Sequence, residues 1–390
     1  MDETDRKYDI LTPDDIDDGR VTDAYFETTE EVLEYSDRNP EVVAEVGEET
    51  DDWHVFAGLK DVAQLLEGKP VDVYSVPEGT LFRNSPVMRI EGKYLDFGRY
   101  ETALLGFICK ASGVATKAMR AKAAAGDRTV LSFGTRRQHP ATAGMIERSA
   151  LIGGMDGISN IAGGEAIGVE AGGTMPHAFV ISMGDQEEAW LAYDEALDES
   201  VPRVLLCDTY EDEKKEATRA VELLDNVDSV RLDTTSSRRG DMREIAEEVR
   251  WELDARGHED VGIFVSGGVD ADEILELRDV VDGFGVGGYV ANADPVDFSL
   301  DIVEVDCEFA AKRGTKSGAK EIHRDYDRME DTVVYTGGDG EVPDEAERLM
   351  EPVIDDGEIV ADFSIEDARR RVNEGVERVR ESDGDTSLLR

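Results

Sequence analysis

The sequence predicts an α/β fold organised on a parallel sheet, with closure into a barrel favoured over an open sheet. Three observations carry this. Apolar strand-like runs and helical stretches alternate seven times between residue 129 and about residue 288, the pace of βαβ units. The strand-like runs end in small or polar residues (FGTRR, SN, GTMPH, DTY, RLDTT, SGG, GVGG), as active-site loops do at the C-terminal face of a barrel. The hydrophobic fraction is 40% of 390 residues, enough for a sizeable core and two or three domains.

The elements follow in order. TVLSFGTR reads as a strand, and ATAGMIERSALIGG as a helix with Pro140 near its first turn. GISN is a short strand and IAGGEAIG a glycine-loosened helix. AGGTMPHAF reads as the third strand end, followed by the helix DQEEAWLAYDEALDES. RVLLCDTY, SVRLDTT, VGIFVSGG and VDGFGVGG are the remaining strands. EDEKKEATRAVELLDN, DMREIAEEVRWELDARG and DADEILELRDVV are the helices between them. Before this region, DAYFETTEEVLEYS is helical. VDVYSVPEGTLF and VMRIEGKYLDF read as short strands with Pro-Glu-Gly and Glu-Gly turns, and a long helix over 100–126 ends at Gly126. After it comes a basic island, AKRGTKSGAKEIHR, and a final helix, SIEDARRRVNEGVERVRE. The expected division is 1–127, 128–300 and 301–390.

Lys plus Arg number 42 and Asp plus Glu 90, a formal charge of −48. Nucleic-acid binding needs clustered cations, and an anionic membrane surface repels such a chain. No apolar run of membrane-spanning length occurs and MDETDRKYDI does not read as a signal peptide, so a cytoplasmic protein is expected. Arg outnumbers Lys 30 to 12. Acid excess with scarce Lys matches proteins of organisms with molar salt in the cytoplasm, where the Debye length is about 3 Å. Cys109, Cys207 and Cys307 are far apart with no CxxC pair, so neither a disulfide framework nor a zinc site is expected.

Five strand ends carry candidate chemistry. Arg136 and Arg137 form a guanidinium pair suited to carboxylate or phosphate, or to salt bridges with nearby acids. His177 follows Gly-Gly-Thr, with the hydroxyl of Thr174 close by, and reads equally as a packed histidine or a reactive one. Arg231 and Asp233 lie two apart on one side of a strand. They serve phosphate and the ribose hydroxyls or Mg²⁺, or they pair internally. Gly267 and Gly268, then Gly287 and Gly288, close two successive apolar strands, where barrel loops cradle phosphate with backbone N–H groups. Together these describe a small aromatic acid meeting a phosphorylated sugar.

With these residues the chain resembles the nicotinate phosphoribosyltransferases, of the archaeal type related to quinolinate phosphoribosyltransferases. The likeness spans roughly residues 20–325 and is carried by VTDAY, VPEGTLF with RIEG, YETALLG with SGVATKA, FGTRR, GTMPHAF, DTY, RLD, SGGVD, FGVGG and KSGAKEIHR. It implies an N-terminal α/β sandwich, an incomplete seven-stranded α/β barrel, a C-terminal segment packing back, and a homodimer or higher oligomer with shared sites. It implies joining nicotinate to 5-phosphoribosyl 1-pyrophosphate, with ATP hydrolysed and Mg²⁺ accompanying the phosphates. His177 matches the histidine that ATP phosphorylates, and Thr174 a nicotinate contact. Arg231 and Asp233 match holders of the phosphoribosyl group, and Gly267, Gly268, Gly287 and Gly288 its phosphate cradle. Arg136 and Arg137 would face carboxylate and phosphates, and Tyr25 would stack on the pyridine ring from the neighbouring subunit. Lys316, Lys320 and Arg324 resemble phosphate contacts made across the dimer.

The chain departs from that pattern in places. RLDSGD is replaced by RLDTTSSRRGD, the second Gly of FGVGG stands where many members have Thr, and a C-terminal zinc-binding cysteine cluster is missing. Ser132 stands where nicotinamide-using relatives place Asp, which favours a carboxylate substrate. Two alternatives remain: a quinolinate phosphoribosyltransferase, whose substrate needs more cations and no ATP, and a nucleotide-binding regulator without turnover. The charge itself yields a prediction. Self-repulsion is unscreened once the Debye length reaches about 10 Å, near 0.1 M salt. Dialysis below that concentration is expected to cost fold or activity, and full activity in dilute buffer would refute the reading.

Overall fold

The computed structural model describes residues 8–389 except Arg239 and Asp339, and the side chains of all of these but Asp385 and Thr386. The chain forms two compact units. One holds the residues up to Thr116 together with Asp294–Leu388, and the other Lys117–Ala293. The boundary falls inside the helix Glu101–Ala125, which stops where Gly126 adopts φ +62°.

The first unit is built on a seven-stranded sheet in the spatial order 308–309, 299–305, 41–47, 86–93, 71–75, 351–355, 358–359. Its ladders are antiparallel. Alternation in Val71–Ser75 turns Val71, Val73 and Ser75 inward. The helix Leu59–Leu66 buries Leu59, Val62, Ala63, Leu65 and Leu66 as one face, in a core with Val42, Ile90, Leu104 and Ile108. Two local expectations fail here. Glu91-Gly92 is not a turn: Pro86–Lys93 is one continuous strand, with Gly92 paired to Val42 on one side and Val71 on the other. Pairing on both edges holds this glycine extended. YLDF is the short helix Tyr94–Phe97 instead of a strand continuation.

A smaller sheet places Lys320–Asp325 between Glu330–Tyr335 and Glu347–Arg348. Here the basic island departs from its expected part. The Arg324 side chain is 2% exposed and forks onto Asp331, at 2.7 Å from Nε to Oδ1 and 2.8 Å from Nη2 to Oδ2. Its Nη1 donates to the Leu81 carbonyl at 2.6 Å, and Trp53 lies beneath at 5.6 Å. Lys320 is likewise consumed: its Nζ lies 2.6 Å from Glu45 Oε2 and donates to the Lys316 and Gly318 carbonyls. Arg324 is buried and Lys320 half-buried, and each is paired where it sits. Lys316 remains exposed.

The second unit carries a parallel sheet. Its strands are β1 (Thr129–Ser132), β2 (Gly157–Ile158), β3 (Val204–Leu206), β4 (Ser229–Leu232), β5 (Gly262–Ser266) and β6 (Gly283–Val286). Their order is β2-β1-β6-β5-β4-β3. The last strand thus pairs with the first, and the curled sheet is a half-barrel open between β2 and β3. Helices separate the strands: α1 (Ala143–Ile152), α2 (Ile161–Ile167), α3 (His177–Met183), α4 (Gln186–Ala196), α5 (Glu213–Leu223), α6 (Met242–Asp254) and α7 (Ala271–Leu277). A final short turn, α8 (Gly288–Ala291), follows β6.

The expected third strand is missing, and six strands stand among the described residues where seven were expected. Residues 169–176 run alongside β2 through one bond, Gly172 N–H to Ile158 O at 2.8 Å, and form no ladder. Gly172 and Gly173 make ordering costly, and Pro176 has no N–H for a ladder. His177 therefore opens helix α3 instead of ending a strand.

The Arg324–Asp331 fork gives a stability prediction. Asp331→Ala leaves a buried guanidinium uncompensated and is expected to cost about 3–5 kcal/mol, read as a lower urea midpoint at unchanged slope. A loss under about 1 kcal/mol would show that the pair is solvated.

Candidate active site

The site is built on Arg231, the third residue of β4. Its Nε donates to Ser266 Oγ at 2.9 Å, and Nη1 to Thr174 Oγ1 at 2.7 Å and the Met175 carbonyl at 3.2 Å. Nη2 lies 3.0 Å from Asp233 Oδ2. The guanidinium thus makes three hydrogen bonds and one ion pair within the site. Phe133 lies 5.6 Å from the guanidinium carbon. Asp233 is held from the other side by the Ser266 hydroxyl, at 2.8 Å from Oδ1. Both carboxylate oxygens are thus spoken for, so the internal ion pair is formed. Among the described residues no cluster of three or more His, Cys, Asp or Glu could hold a metal ion, and none is assigned to Mg²⁺.

His177 stands at this network's edge with its side chain 36% exposed. Nδ1 is 3.2 Å from Thr209 Oγ1. Nε2 is 3.6 Å from both Asp208 Oδ1 and Asp233 Oδ2. Asp208, at the end of β3, is 1% exposed. Its Oδ2 accepts from Asp233 N–H at 2.7 Å, while Oδ1 has no hydrogen-bond partner among the described residues. Burial raises the Asp208 carboxyl above its ordinary range; its hydrogen-bond contact with Thr234 and the imidazole of His177 oppose this. The loop that holds Thr209 is fixed by buried Glu216, whose carboxylate accepts from the N–H groups of Thr209, Tyr210 and Glu211 at 3.0, 2.9 and 2.8 Å.

Sequence reasoning identified His177, Thr174, Arg231 and Asp233, and the fold joins these four in one network. It missed Asp208, Thr209, Ser266 and Phe133 as individual residues, although each lies within or beside a quoted motif. The signal for Asp208 was an acid directly after the apolar run VLLC. Gly267 and Gly268 end β5 in left-handed conformations, φ +95° and +99°. A Cβ at Gly267 would lie 2.9 Å from the carbonyl and Oδ1 of Asp233, so glycine is required there. Gly287 and Gly288 follow β6, the neighbouring strand. Arg136 and Arg137 form a short turn after β1, exposed and with no side-chain partner among the described residues. Arg238 of the altered loop is exposed; Arg239 lies outside the described residues.

Tyr25, Lys316, Lys320 and Arg324 belong to the first unit. Tyr25 sits in the first turn of the helix Ala24–Tyr35, 60% exposed. Beside it, Glu101 is pushed up to about 7 by burial, with the charges of Asp301 and Asp23 adding and Lys312 opposing.

Family models decide what this arrangement belongs to. The model described as quinolinate phosphoribosyl transferase, N-terminal domain, matches residues 23–112, and its C-terminal counterpart matches 114–301. The chain belongs to the quinolinate phosphoribosyltransferase family. Curated relatives include a nicotinate phosphoribosyltransferase of Mycobacterium tuberculosis, 30% identical over 326 residues, which are 78% of this chain and 71% of that protein. One from Bacillus subtilis is 34% identical over 225 residues, 55% of this chain and 44% of that protein. The chain spans 57% of another relative from M. tuberculosis, so it covers about half the length of several of them. Among solved structures, nicotinate-nucleotide pyrophosphorylase from Pyrococcus furiosus is 48% identical with a TM-score of 0.92, covering 97% of this chain and 99% of that one. Human nicotinic acid phosphoribosyltransferase shares the fold at 19% identity, with a TM-score of 0.72 over 92% of this chain and 94% of that one.

Glu101 yields a pH prediction. Its carboxyl binds a proton more tightly folded than unfolded, so its contribution is complete below the ordinary carboxylate value and lost as pH rises through about 7. The urea midpoint is expected to fall between about pH 5 and pH 8, and to fall less in Glu101→Gln. Identical slopes in the two proteins would contradict the assignment.

Proposed function

We propose that this chain is a nicotinate phosphoribosyltransferase. It transfers the phosphoribosyl group of 5-phosphoribosyl 1-pyrophosphate to the ring nitrogen of nicotinate, releasing pyrophosphate, with ATP hydrolysis coupled through His177. One observation carries the reading. The His177 imidazole is anchored at Nδ1 by Thr209 and leaves Nε2 turned to two carboxylates without a direct hydrogen bond. A histidine packed for stability alone would have both nitrogens satisfied.

In this reading Nε2 attacks the γ-phosphorus of ATP, the bond to the bridging oxygen breaks, and ADP leaves with the electron pair. The phosphohistidine then places negative charge and acceptor oxygens beside the sugar site. Departure of pyrophosphate from the anomeric carbon passes through an oxocarbenium-like state, which needs positioning and charge more than a protein nucleophile. Arg231 is largely committed to these partners, so its work is chiefly to orient Thr174 and Asp233, and Asp233 supplies the negative charge near the ribose. Arg136 and Arg137, unpaired in a chain of −48, supply the cations for carboxylate and phosphate. The strand-end glycines let the 5′-phosphate approach backbone. Mg²⁺ enters on the phosphates and neutralises the leaving group. The same reading places Tyr25 and Lys316 in a site shared across a dimer, in an archaeal-type protein of a salt-rich cytoplasm.

A second reading, quinolinate as the acid, is favoured by the descriptions of the matching family models. Turnover with each acid, with and without ATP, separates the two, and absence of turnover with either leaves the regulator. The decisive measurement for His177 is incubation with γ-labelled ATP and mapping of acid-labile phosphate. Label is expected on His177 and absent in His177→Ala, with slow ATP-independent turnover remaining. Label elsewhere, or none in the wild type while nicotinate is converted, would overturn the coupling.

A further inference from the structure

Asp208 connects to the surface through an arrangement that the proposed reaction does not by itself require. The Thr234 hydroxyl oxygen lies 2.9 Å from Asp208 Oδ2 and 2.7 Å from Glu213 Oε1. A hydroxyl has one proton to donate. With both carboxylates ionised, one of these short contacts would set lone pairs against lone pairs. A proton on Asp208 Oδ2 removes the conflict: the acid donates to Thr234, and Thr234 donates to Glu213. Glu213 is the first residue of the 11-residue helix α5, capped by Asp212, where negative charge is favoured. It is also half-exposed, whereas Asp208 is buried.

We propose that Glu213, acting through Thr234, holds a proton on Asp208 and thereby keeps the His177 imidazole neutral and nucleophilic. The groups that face Asp208 are few. His177 Nε2 lies 3.6 Å from Oδ1, and the Asp233 backbone N–H and Thr234 reach Oδ2. The Asp233 charge is shared with Arg231, and Glu216 is spent on three backbone N–H groups. If Asp208 were ionised, two carboxylates at 3.6 Å would retain a proton on Nε2, and that proton would have to leave before the lone pair could attack phosphorus. With Asp208 neutral, His177 faces only a carboxylate already paired with arginine. Asp208, Thr234 and Glu213 are positioning residues in this scheme. The consequence for phosphoryl uptake rests on the proposed function, but the shared proton does not.

The test reads the proton directly, in the full-length protein without substrates. Infrared difference spectra of wild type minus Asp208→Asn near pH 7, in which the contribution of the raised Glu101 carboxyl cancels, are expected to show a carboxylic-acid carbonyl band that belongs to Asp208. The band is expected to persist in Thr234→Ser and to be lost in Glu213→Gln and Thr234→Val. In Glu213→Gln the protonated fraction of His177, followed by nitrogen-15 NMR, should rise, and the acid limb of any His177 phosphorylation should move to higher pH by about half a unit or more. The sign discriminates. Simple loss of a distant negative charge would lower the protonated fraction, so a fall in Glu213→Gln overturns the proposal. So does a missing band in the wild type, or a band that survives both Glu213→Gln and Thr234→Val, since burial alone would then hold the proton. A band with the expected losses but no labelled His177 would support the proton store while refuting the ATP-coupled function.

Discussion

The half-barrel unit depends on the guanidinium of Arg231. It projects from β4 and ties together four points that the ladder leaves apart: Thr174 and Met175 in the segment without a strand, Asp233 beyond the strand end, and Ser266 on β5. The seam between β2 and β3 has no ladder, so side-chain donors do there what backbone N–H groups do elsewhere in the sheet. This also explains why glycine is obligatory at 267, directly against Asp233. A fork with rigid geometry can satisfy this many acceptors at once; the single point charge of lysine could not hold them in register.

A chain with 90 acidic residues faces a particular difficulty around an imidazole, because every stray carboxylate pulls a proton onto it. The structure answers by committing each acid to a donor. Glu216 closes the loop after β3, and Asp233 is divided between Ser266 and Arg231. Asp208 is left with one oxygen unpartnered and turned to His177. Burial without a donor on that oxygen favours its neutral form. The surroundings of His177 are therefore set by how the nearby charges are spent, more than by how many there are.

The cations follow the same logic with the opposite outcome. Arg324 and Lys320 lie in the motif that looked most like a phosphate-binding island, yet both are locked to acids and carbonyls. Arg136 and Arg137 lie on a short exposed turn with no side-chain partner among the described residues. The longer basic run differs: its Lys320 and Arg324 are committed internally, and Lys316 is exposed.

Much of this was legible in the residues themselves. The alternation of apolar runs and helices, the caps and glycines that end them, and the spacing of Arg231 and Asp233 are local properties, written in periods of 2 and 3.6 residues. So were His177 and Thr174, three apart in one short motif. Tertiary structure decided the rest. GTMPH failed to form a strand because two glycines and a proline resist a ladder that its neighbours do not supply. Glu91-Gly92 stayed extended because strands pair with it on both edges. Whether Arg324 meets a ligand or Asp331, and whether Asp208 meets water or an imidazole, depends on residues brought together from separate elements. Local sequence specifies which groups are present and how each segment prefers to fold, whereas pairing, burial and protonation are set by what the rest of the chain places beside them.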